Sequence, residues 1–148
     1  MNKENDIGFA VRRLSNLIKR DVENSRSKLG LDRVKGVNGW AISNFYENRK
    51  NNIFQKDFEN HFSIRSSTAS NILKTMESKG FIERVSFNTD ARLKKIVLTD
   101  KAIEIYRKIT KDIEQREKLL RTNVNDDELK IFFKVIKQLS KNMEDQND

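Results

Sequence analysis

The chain has 148 residues, 36% hydrophobic and 35% charged, with no proline, no cysteine and one histidine. The missing cysteines exclude disulfides, thiolate metal ligands, catalytic thiols and thiol-based redox sensing, and a single histidine, His61, cannot build a histidine-rich metal site. Thirty basic against 22 acidic residues leave a formal charge of +8, which points to a polyanionic partner, most simply nucleic acid.

This length fits one domain over 1–148 with one core. No apolar run approaches the roughly 18 residues of a membrane span. The opening MNKENDIGFAVRR holds acids and no signal-like apolar stretch, so a cytoplasmic protein without membrane contact is expected. A chain without proline favours long helices.

Ile7, Ala10, Val11, Leu14, Leu17, Ile18 and Val22 fall at the three-and-four spacing of one helix face, which predicts a first helix over 6–28, stopped near Gly30. Val37, Trp40, Ala41 and Phe45 predict a second over 38–48, with Asn38 as its amino-terminal cap. A short helix over 55–62 carries Phe58 and Phe62, and a turn over 63–66 follows. A further helix over 67–79 turns Ala69, Ile72, Leu73 and Met76 inward, with Gly80 as its carboxy-terminal cap. Phe81 to Phe87 and Leu93 to Leu98 then read as two strands around Asn88-Thr89-Asp90, a hairpin. Thr99 caps a long helix through Ala102, Tyr106, Ile109 and Leu120. Asn125 caps a last one, in which Leu129, Phe132, Phe133, Ile136, Leu139 and Met143 share a face.

Helix, turn, helix and hairpin in that order make a winged helix-turn-helix, in a chain that is mainly α with a small β-hairpin wing. In such an arrangement a packed core holds one helix so that its outer face enters the major groove, about 12 Å wide. On the 67–79 helix the residues outside the core are Ser67, Thr68, Ser70, Asn71 and Lys74, short hydrogen-bonding groups and one cation suited to base edges and phosphates. Ser66 and Ser67 either join that face or simply cap the helix. The hairpin tip adds Asp90, Arg92, Lys94 and Lys95, and residues 65–95 hold seven basic against three acidic residues. An arginine on such a loop suits a narrow A·T-rich minor groove; an Asp90–Arg92 ion pair that merely steadies the turn is compatible with this.

The segments Ile53-Phe54-Gln55-Lys56-Asp57-Phe58, Ser67-Thr68-Ala69-Ser70-Asn71-Ile72-Leu73-Lys74 through Gly80-Phe81-Ile82-Glu83-Arg84, and Asp90-Ala91-Arg92-Leu93 through Leu98-Thr99 resemble the MarR family of bacterial transcription regulators. The Asp-x-Arg wing followed by a strand ending in Leu-Thr is the most specific part. The resemblance implies a homodimer in which residues 1–36 and 100–148 pair across a two-fold axis, with residues 37–99 forming the DNA-binding lobe. It assigns Thr68, Ser70, Asn71 and Lys74 to the major groove and Arg92 to the minor groove. Two departures stand out: Glu59 lies where the family has a small alanine, and Asn71 replaces the arginine that most members carry.

The apolar faces at Ile7, Val11, Leu14 and Ile18, and at Phe132, Phe133, Ile136 and Leu139, are wider than a small lobe covers, which independently favours a partner subunit. In the family, Trp40, Phe45, Tyr46 and Tyr106 border a cleft where a small-molecule effector would sit, although aromatic residues of this kind usually pack in a core. For His61 a hydrogen bond to backbone or phosphate is favoured over a metal. No metal and no cofactor is expected. With no P-loop, no G-x-G-x-x-G and no histidine–carboxylate cluster, an enzyme is not expected either. The expected partner is double-stranded DNA, read by a repressor at a pseudo-palindromic operator; the alternative is a winged-helix module that contacts proteins only.

Overall fold

The computed structural model describes residues 3–146. After a 3-10 turn at Lys3–Asn5, six α-helices and one hairpin follow: α1 (Ile7–Lys28), α2 (Gly36–Glu47), α3 (Gln55–Phe62), α4 (Ser66–Ser78), β1 (Ile82–Phe87), β2 (Asp90–Leu98), α5 (Asp100–Leu120) and α6 (Asp126–Glu144). The mainly helical winged arrangement is the one expected. The chain forms two compact units, one ending at Asp112 and the other beginning at Ile113.

In the first unit the core gathers Ala41, Ile42 and Phe45 of α2, Phe58 of α3, Ala69, Leu73 and Met76 of α4, Ile82 and Ile96 of the hairpin, and Ala102, Ile105 and Ile109 of α5. Phe45 and Phe58 meet edge to face, 5.5 Å between ring centroids. Side chains of this size each contribute about 1.5–3 kcal/mol on burial, and this is what holds α4 in place against its neighbours.

Helix ends follow from named residues. Asp6 caps α1 by accepting the Phe9 N–H, and Gly30 (φ +69°) closes it, with Leu31 N–H bonded to the Arg26 carbonyl. Gly80 (φ +76°) closes α4 in the same way: its N–H reaches the Glu77 carbonyl, and the Phe81 N–H reaches that of Met76. Thr99 Oγ1 accepts the Ala102 N–H and donates to the Gly80 carbonyl, so one residue caps α5 and fastens it to the end of α4.

Two expected boundaries differ. Helix α2 starts at Gly36, because the Lys35 carbonyl already accepts the Asn38 and Gly39 N–H groups; Asn38 is therefore buried in the first turn, 3% exposed, and is not the cap. Helix α4 starts at Ser66 with Arg65 in the cap position and no side-chain cap bond, after Ser63 has turned the chain in the left-handed region (φ 49°).

In the second unit, α6 opens on a full capping box, Asn125 Oδ1 accepting the Glu128 N–H at 2.8 Å and Glu128 Oε2 accepting the Asn125 N–H at 3.0 Å. No described residue of α6 is buried, and Ile131, Phe132, Phe133, Val135 and Met143 are all substantially exposed.

Candidate nucleic-acid interface

Helix α4 is the centre of the candidate site. Ala69, Leu73 and Met76 are fully buried, and at 100° per residue the face opposite them carries Ser67, Asn71, Lys74 and Ser78 in one stripe. All four are exposed, as are Ser66, Thr68 and Thr75, while Ser70 lies half-buried at the edge. The Thr75 hydroxyl donates back to the Asn71 carbonyl at 3.0 Å, and that of Ser78 to the Thr75 carbonyl at 2.9 Å.

Three contacts pin this helix. Gln55 Nε2 donates to the Ser66 carbonyl at 3.3 Å, tying the start of α3 to the start of α4. Arg84 of β1 lies 3.6 Å from Glu77, joining the far end of α4 to the hairpin. Lys101 Nζ donates to the Lys79 carbonyl at 2.8 Å just beyond the helix.

The wing is an antiparallel pair with Ile82 opposite Leu98 and Ser86 opposite Lys94, irregular between Ser86 and Phe87. Its root is anchored by the Ile96 N–H on the Ile53 carbonyl at 2.7 Å, and nearer the tip Phe87 stands edge-on to Phe54 at 5.1 Å. Asn88 (φ 53°) supplies the tight turn. Asp90 Oδ1 accepts the Arg92 backbone N–H at 2.9 Å, while the Arg92 side chain, 98% exposed, stays 4.0 Å from the carboxylate. The carboxylate thus shapes the loop rather than neutralising the arginine, since an ion pair this exposed contributes little. Lys94 and Lys95 are consecutive on β2 and point to opposite faces of the ribbon, Lys94 exposed and Lys95 half-buried.

The four aromatic residues considered for an effector do not converge. Phe45 is in the core, 1% exposed; Tyr46 and Tyr106 stack at 3.9 Å and 22°; Trp40 lies on the outward side of α2, 48% exposed. Arg49 adds a layer unforeseen from the sequence, its guanidinium 4.0 Å above the Tyr46 ring. His61 is exposed, edge-on to Phe62 at 5.0 Å, and with Asn44, Asn48, Asn51, Asn52, Ile53 and Asp57 it lines a polar groove beside α3. Among the described residues no three histidine, cysteine, aspartate or glutamate side chains gather as a metal would need, and no helix is long and apolar enough to cross a membrane.

Sequence reasoning did not single out Thr75, Ser78, Gln55 or Arg65. Thr75 and Ser78 were signalled by their spacing of four and seven residues from Asn71, whereas the Gln55 tie depends on how α3 crosses α4.

A profile of the MarR family matches residues 48–94, from the α2–α3 connection into the first half of β2. The chain is similar in structure to the transcription regulator MarR from Oenococcus oeni PSU-1 (TM-score 0.79, 26% identity, covering 92% of this chain and 99% of that one). It is also similar to the heme sensor protein PefR from Streptococcus agalactiae in complex with heme (TM-score 0.66, 26% identity, 94% and 95%). The fold matches that of the S. aureus MepR–DNA complex more tightly still (TM-score 0.83, 20% identity, 97% and 99%). No curated protein matches the chain by sequence.

Proposed function

We propose that this chain, a winged helix-turn-helix protein of the MarR family, is a non-enzymatic transcriptional regulator that binds a pseudo-palindromic DNA operator as a homodimer, acts as a repressor, and is released by a small-molecule effector. The observation that carries the reading is the pairing of an exposed polar stripe on α4 with an almost fully exposed arginine on the adjoining hairpin turn. Ser66, Ser67, Thr68, Ser70, Asn71 and Lys74 face the major groove, Arg92 enters the minor groove with Asp90 shaping its loop, and Lys94 and Lys95 add phosphate contacts. The MepR structure that shares this fold holds DNA, which supports a nucleic-acid partner.

Two-fold symmetry would set the paired α4 helices about 34 Å apart, one helical turn of DNA, and so requires two half-sites at that spacing. The stretches 1–36 and 100–148 carry the pairing, because α1 and α6 leave apolar side chains half exposed. An effector acts only by preferring one arrangement of the two reading lobes over the other. Of the four residues expected to border the effector site, the half-buried Tyr46–Tyr106 stack and the exposed Trp40 are the ones a ligand could reach, whereas Phe45 lies in the core.

Selection from a pool of randomised duplexes, followed by anisotropy titration at several salt concentrations, tests the reading. Enrichment of a dyad-symmetric site, bound by two chains with an affinity that falls log-linearly with salt, is the expected result. A pool that never enriches, with weak binding equal for all duplexes, would overturn it in favour of a protein-contact module.

A further inference from the structure

The outward stripe of α4 carries little charge. Its 13 residues include no arginine, the side chain that most often reads guanine, and a single lysine. Of the groups in the stripe, the Thr75 and Ser78 hydroxyls already donate to carbonyls of their own helix, and a serine hydroxyl turns to suit either a donor or an acceptor. Lys74 is a point charge that serves a phosphate as well as a base. Asn71 differs from all of these. It is exposed, central in the stripe between Ser67 and Lys74, and its carboxamide presents a donor and an acceptor side by side.

Adenine offers the complementary pair in the major groove, an N7 acceptor next to an N6 donor. Guanine offers two acceptors, N7 and O6, so its O6 would face the carboxamide oxygen with no proton between them. Arg65, the nearest guanidinium along the chain, occupies the α4 cap six residues earlier, about 9 Å along the axis from Asn71.

Resting on the reading of α4 as a major-groove helix, we propose that Asn71 is the specificity-determining residue and that it reads an adenine in each half-site through that base's N7 and N6 groups. The rigidity this needs is present: the neighbours Ala69 and Leu73 are fully buried, so the Asn71 backbone is fixed relative to the core.

The test uses the full chain and the duplex enriched from the randomised pool. Each adenine of one half-site is replaced in turn by 7-deazaadenine, which lacks N7, and by guanine. One position is expected at which both replacements weaken binding by about 5- to 100-fold, the range for a bidentate base contact. At that position Asn71→Ala should lose the discrimination, and Asn71→Arg should come to favour guanine. Because Asn71 is exposed, both variants should melt with the parent protein. Tight, selective binding that is indifferent to every 7-deazaadenine, or discrimination that survives in Asn71→Ala, would overturn the adenine assignment while leaving the regulator intact. A pool that never enriches would overturn both.

Discussion

Arg92 shows how an exposed side chain is presented by a bonded turn. Its guanidinium touches little, yet its backbone N–H is bonded to Asp90 across a turn whose Asn88 takes a positive φ. That bond holds the backbone of the turn, while the exposed side chain keeps its rotamer freedom until it enters a groove. Arg92→Ala should weaken operator binding by about 1–3 kcal/mol in anisotropy titrations while two chains still bind each site. An affinity equal to that of the parent would remove the minor-groove role. This residue was legible in the sequence because Asp-x-Arg after an Asn-Thr turn fixes the local geometry without help from the rest of the chain. Asn38 was not: a residue type that favours caps sits one turn inside α2, where the Lys35 carbonyl has already begun the helix. Arg26 was illegible for a different reason. It is buried against Asp112, Nη1 to Oδ2 at 3.0 Å, 86 positions further along the chain, and Gly39 makes room for it, since a Cβ there would lie 2.6 Å from the guanidinium. Nothing local marks an arginine for burial.

The six α-helices and the hairpin were read in the right order because several of them are bounded by a residue whose conformation or cap ends them. Gly80 is the clearest case: it ends α4, admits the tight reversal into β1, and offers its carbonyl to Thr99, so that α4, the wing and α5 are fastened at one point. An alanine there meets only Lys101 Cδ at 3.9 Å, so the cost is conformational rather than steric. Gly80→Ala should lower unfolding free energy by about 1–2 kcal/mol, the penalty for an L-residue at positive φ, as measured by urea denaturation. Because Ser67, Asn71 and Lys74 lie six or more residues from Gly80, the ratio of affinities for the enriched and a scrambled duplex should stay unchanged. A variant as stable as the parent would mean that the reversal has an alternative geometry. What the sequence left open at this scale was tilt: periodicity gives the faces of α3 and α4, but the bond from Gln55 to the Ser66 carbonyl depends on the angle at which they cross.

At the scale of the whole molecule, the decisive feature is apolar surface left uncovered. Ile7, Val11, Leu14 and Leu17 share one side of α1 and are each 44–59% exposed, while Phe132 and Phe133 of α6 stand edge to face at 5.3 Å and are about half exposed. The periodicity of these helices is indistinguishable from that of core helices, so the sequence indicates that they are covered without indicating by what; only the structure shows that the single chain leaves them open. In the proposed homodimer a second copy would cover such surface, since a self-complementary patch closes under two-fold symmetry. Such a dimer gains roughly 25 cal/mol for each Å² of apolar surface removed from water. A carboxylate in the stripe would have to be buried without a partner, at a cost of several kcal/mol. Leu14→Glu should therefore yield monomers in sedimentation velocity at concentrations where the parent is dimeric. It should melt at a lower temperature that no longer rises with protein concentration, and bind a single half-site without the affinity of the full operator. Because Leu14 is 44% exposed in the single chain, the fold of the reading lobe should survive, and helical circular dichroism checks this. A Leu14→Glu protein that still sediments as a dimer would place the pairing surface elsewhere and detach the half-site spacing from α1.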